Sequence, residues 1–322
     1  MPYKIINFMK GPLFYSKILL FGEYGIIEDS KGLAIPYNFY KGALKTEPLQ
    51  KENTLAKQSN ESLQKFATYL ADLQTQQPTL VSFNLAQLNQ DIANGMYFDS
   101  SIPQGYGVGS SGALVAAIYD KYSNDKITVL ENLTREKLLQ LKTIFSQMES
   151  FFHGKSSGLD PLNSYLSLPI LINSKDNIEA TGIPSQQLLG KSAVFLLDSE
   201  EVGETAPMVQ IFMENLKDKG FRTMLKTEFI KYTDACVENF IKGEAKQLFS
   251  NIKELSQVVL HNFKPMIPER FHQVWKNGLE TNDYYLKLCG SGGGGYILGF
   301  APDFEKAQKA LHNYKLEVVY RF

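Results

Sequence analysis

Ile102-Pro103-Gln104-Gly105-Tyr106-Gly107-Val108-Gly109-Ser110-Ser111-Gly112, running into the helix-forming ALVAAIYDKY (113–122), is the stretch on which the fold turns. Gly105, Gly107, Gly109 and Gly112 fall within eight residues. Glycine lets the backbone bend through positive φ and approach a ligand closely. The helix behind it aims unpaired N–H groups and a positive dipole end at whatever sits there. The segment therefore reads as a phosphate cradle. It is not a Walker A loop, because no Lys-Ser or Lys-Thr follows the glycines. Gly107-x-Gly109-x-x-Gly112 also matches the dinucleotide fingerprint, with Glu131 about 20 residues on. Pro103 interrupts the strand that fingerprint needs, and Glu131-Asn132 looks like the opening of another helix. Three readings stay open on this segment alone: a phosphate cradle, a glycine-rich connection packing a helix on a sheet, and a dinucleotide site.

Working outward, MESFFHGKSSGLDPLNSY (148–165) places Glu149 near the end of a helix and Asp160 on a Ser-Ser-Gly-Leu-Asp loop stopped by Pro161. A carboxylate on such a loop is often only a turn or cap residue. Its functional reading makes Asp160 a hydroxyl-orienting base and Glu149 a magnesium ligand. Magnesium takes one or two carboxylates plus waters and substrate phosphates. His153 reads as a loop or core residue before a ligand. LKLCGSGGGGYILGF (286–300) carries five consecutive-region glycines and a serine between two strands, which packing should not explain, since glycine weakens a sheet. It reads as a flexible hairpin or as a backbone loop closing over phosphates or substrate, with Cys289 a small buried apolar residue. In SKILLFGEYGII (16–27), Lys17 precedes a buried-looking strand and Glu23-Tyr24 follow Gly22 in a turn.

The chain has 322 residues, enough for two domains or one large one. Composition is ordinary for a globular protein, 43% apolar and 21% charged, which excludes disorder and collagen. No apolar run approaches the ~20 residues of a membrane helix, and the N-terminus lacks an apolar stretch with a cleavage site. A net charge of −1 gives no basic surface for nucleic acid and no polybasic membrane anchor. Arg135, Arg222, Arg270 and Arg321 all lie outside the glycine-rich segments, so anion handling there falls to backbone amides, lysines or metal. Cys236 and Cys289 cannot form a disulfide framework and read as reduced, cytoplasmic thiols.

Strands are expected to dominate the first hundred residues, with a helix at 60–74 opened by Asn60 or Ser62 and another at 134–152. SAVFLLDS (192–199) reads as a buried strand. Successive amphipathic helices follow from Thr205 to residue 263. A strand, glycine loop and strand then cover 284–301, and a short helix and closing strand complete the chain. The single tryptophan, Trp275, reads as packing. This order predicts an α+β protein with a boundary in the polar segment 173–191.

Taken together, the four glycine- and carboxylate-bearing segments resemble the GHMP small-molecule kinases. Lys17 with Gly22-Glu23-Tyr24 resembles the first family motif. Ile102-Pro103 through Ser111 resembles the second, the ATP-phosphate loop, and Lys287 through Gly295 the third. Within the family the similarity is greatest to mevalonate kinases, whose His-Gly-x-x-Ser-Gly-x-Asp segment matches His153 to Asp160, with Glu149 eleven residues before the aspartate. The resemblance implies a ribosomal-protein-S5-like N-terminal domain (1–180) that binds ATP and a ferredoxin-like C-terminal domain (181–322). It implies Asp160 as catalytic base and Lys17 as its positive neighbour. Gly105, Gly107, Val108, Gly109, Ser110, Ser111 and Gly112 would hold ATP, and Ser111 with Glu149 would hold Mg²⁺. On the acceptor side it implies Glu23, Tyr24, Thr205, Gly292 and Gly293. Tyr24 stands where mevalonate kinases usually have histidine, and Gly112 where they usually have alanine. The implied reaction is phosphorylation of a mevalonate-like hydroxyl, with phosphomevalonate or a homoserine-like acceptor as alternatives. A dinucleotide-binding oxidoreductase is the alternative from another class. The implied partners are ATP and a small acceptor; a homodimer is compatible with this reading.

Overall fold

The computed structural model describes residues 12–48, 53–128 and 133–322, and Glu131 with Asn132 lies outside them. The chain divides into two compact units that interleave in sequence. One contains 38–102 and 109–167, and the other 17–37, 103–108 and 168–322. Strands β1 (Phe14–Phe21) and β2 (Gly32–Thr46) carry residues of both.

In the first unit, Gly42 to Thr46 of β2 pair antiparallel with β3 (Met96–Ser100). Helices α1 (Thr54–Gln76), α2 (Leu85–Ala93), α3 (Ser110–Tyr122), α4 (Arg135–His153) and α5 (Leu159–Leu166) complete it. The expected helix at 60–74 starts six residues earlier, because Asn53 rather than Asn60 caps it, accepting from the Ala56 N–H at 3.0 Å. Asn60 instead lies inside α1, 4% exposed, and donates to the carbonyls of Ile92 and Met96. The strand-rich expectation for the first hundred residues is thus corrected, since α1 and α2 occupy much of it. In α4, Leu138, Leu141, Ile144, Phe145 and Met148 recur at helical spacing and are all buried. They bury against α3, whose Ala113, Val115, Ala116, Ala117 and Ile118 are also buried. The small side chains let neighbouring helices come close on several sides, and Tyr119 seals the layer edge-on to Phe145 and Tyr165.

In the second unit, β2 residues 32–34 pair antiparallel with β4 (Ile170–Ser174), and β4 with β5 (Asn177–Ala180). A second sheet has the order β7-β8-β6-β9, formed by β6 (Ala193–Asp198), β7 (Tyr285–Leu288), β8 (Tyr296–Ala301) and β9 (Leu316–Arg321). Its pairings are antiparallel, and β6 from Ala193 to Leu197 is wholly buried. Helices α6 (Thr205–Asn215), α7 (Lys219–Met224), α8 (Ile230–Lys242), α9 (Ala245–Asn262), α10 (Phe271–Thr281) and α11 (Phe304–Ala310) accompany the sheet. Trp275 is 1% exposed and its indole N–H donates to Ser256, so it packs the interior of this unit.

Helices with antiparallel sheets make the chain α+β, as its element order predicts. The dinucleotide alternative is corrected here. That fingerprint needs a parallel βαβ unit, whereas β3, the strand before the glycines, pairs antiparallel with β2. No helix among the described residues is long and apolar enough to cross a membrane.

Candidate active site

The first unit gathers Gly109, Ser110, Ser111, Gly112, Glu149 and Asp160. Gly109, with φ +82°, turns the chain into α3, so Ser110, Ser111 and Gly112 form its first turn. Their N–H groups have no earlier helical carbonyl to bond, as in the first turn of any helix. Ser111 Oγ donates to Glu149 Oε1 at 2.9 Å and lies 3.0 Å from His153 Nε2. Glu149 is 3% exposed on α4, and its other oxygen accepts from Ser156 Oγ.

Asp160 is not on a loop as the sequence suggests. It lies in the first turn of α5, with Gly158 as the turn before it and Pro161 beside it. Proline starts helices readily because the first-turn N–H needs no partner, so Pro161 opens this helix rather than ending the loop. The 154–158 connection is tied to α4: Ser146 Oγ donates to the Ser156 carbonyl at 2.6 Å, and Gly158 N–H to Ser156 Oγ at 3.0 Å. Glu149 therefore serves two elements at once, through Ser111 and Ser156. Ser156 is a site residue that the sequence does not announce.

Gly112 meets the Asp160 turn directly. A Cβ added at Gly112 would lie 2.7 Å from the Asp160 carbonyl carbon and 2.8 Å from the Pro161 nitrogen. These are backbone atoms that cannot swing aside. Alanine favours a helix over glycine by ~1 kcal/mol, but overpacking of this kind costs typically ~1–3 kcal/mol. Gly112→Ala is thus expected to lower stability rather than raise it, and to move the Asp160 turn away from α3. A displacement near 1 Å at a reacting group costs about 100-fold in rate. A thermal melt and a steady-state kcat measurement check both halves; a more stable, fully active variant contradicts the packing argument.

The second unit gathers Lys17, Glu23, Tyr24, Gly105, Gly107, Val108, Thr205, Gly292 and Gly293. Lys17 is 4% exposed, and its N–H donates to the Val108 carbonyl at 3.0 Å, which joins β1 to the glycine segment. The segment 103–108 lies backbone to backbone with two others. Gly203 N–H donates to the Gly105 carbonyl at 2.9 Å, and a Cβ at Gly107 would stand 2.5 Å from the Cys289 carbonyl oxygen. Gly295 likewise has no room for a Cβ beside Tyr106. The expectation that packing cannot explain the glycines after Cys289 is therefore corrected: Gly290 and Gly295 meet 103–108, and Gly294 meets Val202 and Gly203, at distances that leave little or no room for a Cβ. Gly292 and Gly293 pack on Met266 and Met208, and Gly293 N–H donates to the Met266 carbonyl at 2.7 Å.

Glu23 and Lys287 form an ion pair at 2.6 Å, with side chains 6% and 4% exposed. Burial pushes the Glu23 carboxyl above its usual range, against the opposing pull of Lys287 and, more weakly, Lys17. Lys287 also donates to the Leu288 carbonyl. Tyr24 is 8% exposed, with φ +60°, and its hydroxyl donates to the Ser291 carbonyl at 2.7 Å. Its ring centroid lies 4.6 Å from that of Phe212, and burial holds its phenol well above the ordinary tyrosine range. Ser291 Oγ reaches Thr205 Oγ1, at the start of α6, at 3.4 Å. Sequence reading places Glu23 and Lys287 in separate motifs and gives no sign that they pair.

The sequence model of the GHMP kinases N terminal domain matches residues 79–167, which span β3, the glycine turn, Glu149 and Asp160. That match covers somewhat more than a quarter of the chain, so it identifies this segment as a GHMP kinases N terminal domain. Solved structures share its fold over almost the whole length. The L. major mevalonate kinase in complex with R-mevalonate is 16% identical, with 96% of this chain and 95% of that chain covered and a TM-score of 0.60. The Methanococcus jannaschii mevalonate kinase is 15% identical, with 97% and 98% covered and a TM-score of 0.59. The Streptococcus pneumoniae phosphomevalonate kinase in complex with phosphomevalonate and AMPPNP is 14% identical, with 96% and 99% covered and a TM-score of 0.58. No curated protein sequence matches the chain.

Both cysteines lie in the interior of the second unit. Cys236 and Cys289 are 0% and 1% exposed and not disulfide-bonded, and burial pushes the Cys236 thiol far up. An aromatic disulfide reagent is expected to leave both unmodified in native protein and to label both after urea unfolding. Rapid labelling of the native form contradicts this.

Proposed function

We propose that the chain is a GHMP kinase that transfers the γ-phosphoryl group of ATP to the hydroxyl of a small carboxylate, mevalonate, giving 5-phosphomevalonate and ADP. The observation that carries the reading is the Ser111–Glu149 oxygen pair on the first turn of α3, with the Asp160 turn packed on Gly112 of that same turn. The residues 105–112 would receive the ATP phosphates on backbone amides. Ser111 and Glu149 suit Mg²⁺, being hard oxygen donors with one carboxylate, which is what that ion takes beside phosphates and water. When bound, Mg²⁺ supplies neutralisation of the phosphate charge.

Asp160 takes the proton of the acceptor hydroxyl as its oxygen forms the new bond to the γ-phosphorus. The bond from that phosphorus to the β–γ bridging oxygen breaks, and ADP leaves with the electron pair. Such transfer rests on positioning and charge more than on covalent help. Lys17 contributes positive charge to the same step, as the family resemblance implies. Thr205, Gly292 and Gly293 belong to the acceptor side. Glu23 and Tyr24 act there by holding the Gly22–Gly25 turn, since Lys287 and Ser291 already engage their polar ends. The two-domain organisation, 1–180 and 181–322, and a cytoplasmic setting go with this reading.

Among the neighbours, one is a mevalonate kinase solved with R-mevalonate and another a phosphomevalonate kinase solved with phosphomevalonate. A phosphorylated acceptor asks for additional cations in its pocket. Lys287, the lysine of the third motif, is buried on Glu23 and so is engaged elsewhere. That favours the acceptor with a single carboxylate. A coupled ADP-release assay with MgATP against mevalonate, 5-phosphomevalonate, homoserine and galactose tests the reading. Turnover on mevalonate is expected. Turnover on another acceptor alone moves the substrate, and turnover on none overturns the proposal.

A further inference from the structure

His153 has no part in the chemistry above, yet its Nε2 lies 3.0 Å from the Ser111 hydroxyl. The ring is exposed at the last turn of α4, so core packing does not hold it there. A serine hydroxyl has one proton and two lone pairs, and an ionised carboxylate only accepts. The Ser111 proton therefore goes to Glu149 Oε1, 2.9 Å away. Toward His153 the same oxygen can only accept, which places the imidazole proton on Nε2. One lone pair of Ser111 Oγ then remains. Glu149 and His153 stand four residues apart on one face of α4 and grip the hydroxyl from both sides.

We propose that His153 is a positioning residue of the divalent-cation site: its Nε2–H fixes the Ser111 hydroxyl so that one lone pair is kept for the cation. His153 is not itself a ligand, because the nitrogen nearest Ser111 carries the proton. The inference rests on the reading of Ser111 and Glu149 as cation ligands.

The test uses Mn²⁺ as a paramagnetic probe of the full-length protein with ADP present, read by electron paramagnetic resonance without turnover. Two amide variants separate the donor from mere polarity. His153→Gln carries an N–H donor near the position of Nε2, and His153→Asn is too short to reach Ser111. His153→Asn is expected to weaken Mn²⁺ binding about tenfold, the lower range for loss of a partner that orients a metal ligand. His153→Gln is expected to bind like the unsubstituted protein, and both variants to melt alike. Equal Mn²⁺ affinity in the Asn variant overturns the inference, as does equal weakening in both. Glu149→Gln is the separate control on the underlying reading. If that variant binds Mn²⁺ as tightly as the parent, the cation site itself is misplaced and the inference falls with it.

Discussion

Asp160→Asn is expected to lower kcat on mevalonate about 10³-fold while leaving ADP affinity within a factor of two or three, as loss of a general base typically costs 10²- to 10⁴-fold. Asparagine keeps the size and shape of the side chain and cannot take up a proton. The substitution therefore leaves the α5 turn and its contact with Gly112 in place, and removes the charge together with the proton-accepting oxygen. Nucleotide contacts are assigned to residues 105–112, whose backbone amides the substitution does not touch. Steady-state kinetics and calorimetric titration with MgADP give the two numbers. A kcat loss below tenfold, or collapse of ADP affinity, would sink the role assigned to Asp160. Ser111→Ala and Glu149→Gln should behave differently, raising the Mg²⁺ concentration needed for half-maximal rate.

Lys287→Met should be the most destabilising single change at the second unit's site. It leaves the buried Glu23 carboxyl without its lysine partner, whether charged or forced to take up a proton, which costs about 3–5 kcal/mol. Replacing both charges together, as in Glu23→Leu with Lys287→Met, recovers most of that loss, because burying a pair is itself expensive. Lys217, which meets Glu214 with side chains 73% and 69% exposed, provides the contrast: Lys217→Met should barely shift the curve. Trp275, the only tryptophan, is buried in the second unit, so its fluorescence during urea unfolding reports on the correct part of the chain. A Lys287→Met midpoint equal to the parent's would show that Glu23 does not depend on this lysine. The pair also has a functional side. Together with the Tyr24–Ser291 hydrogen bond it couples the Gly22–Gly25 turn to the glycine loop, so the variant that folds should show a raised acceptor KM.

The reading of the sequence was accurate where the signal is local. Helical spacing in 134–152, the strand at 192–199 and the strand–glycine–strand run at 284–301 need only neighbouring residues, and all appear as elements. The glycine turn before α3 and the eleven-residue spacing of Glu149 and Asp160 also lie within single segments. Errors arose where a residue type has two uses. Asn60 looks like a cap but serves as a buried donor to Ile92 and Met96, and Pro161 looks like a terminator but opens a helix. The glycines after Cys289 look like excess flexibility and are instead a close-packed backbone.

Sequence alone determined the α+β class and the glycine turn that opens α3. Tertiary structure decided what each buried polar group meets. Glu23 and Lys287 are 264 residues apart, and Ser111 and His153 are 42. A period or a cap is written in adjacent residues because it follows the backbone. A hydrogen bond or an ion pair is fixed by distances of about 3 Å between atoms that only the packed chain brings together.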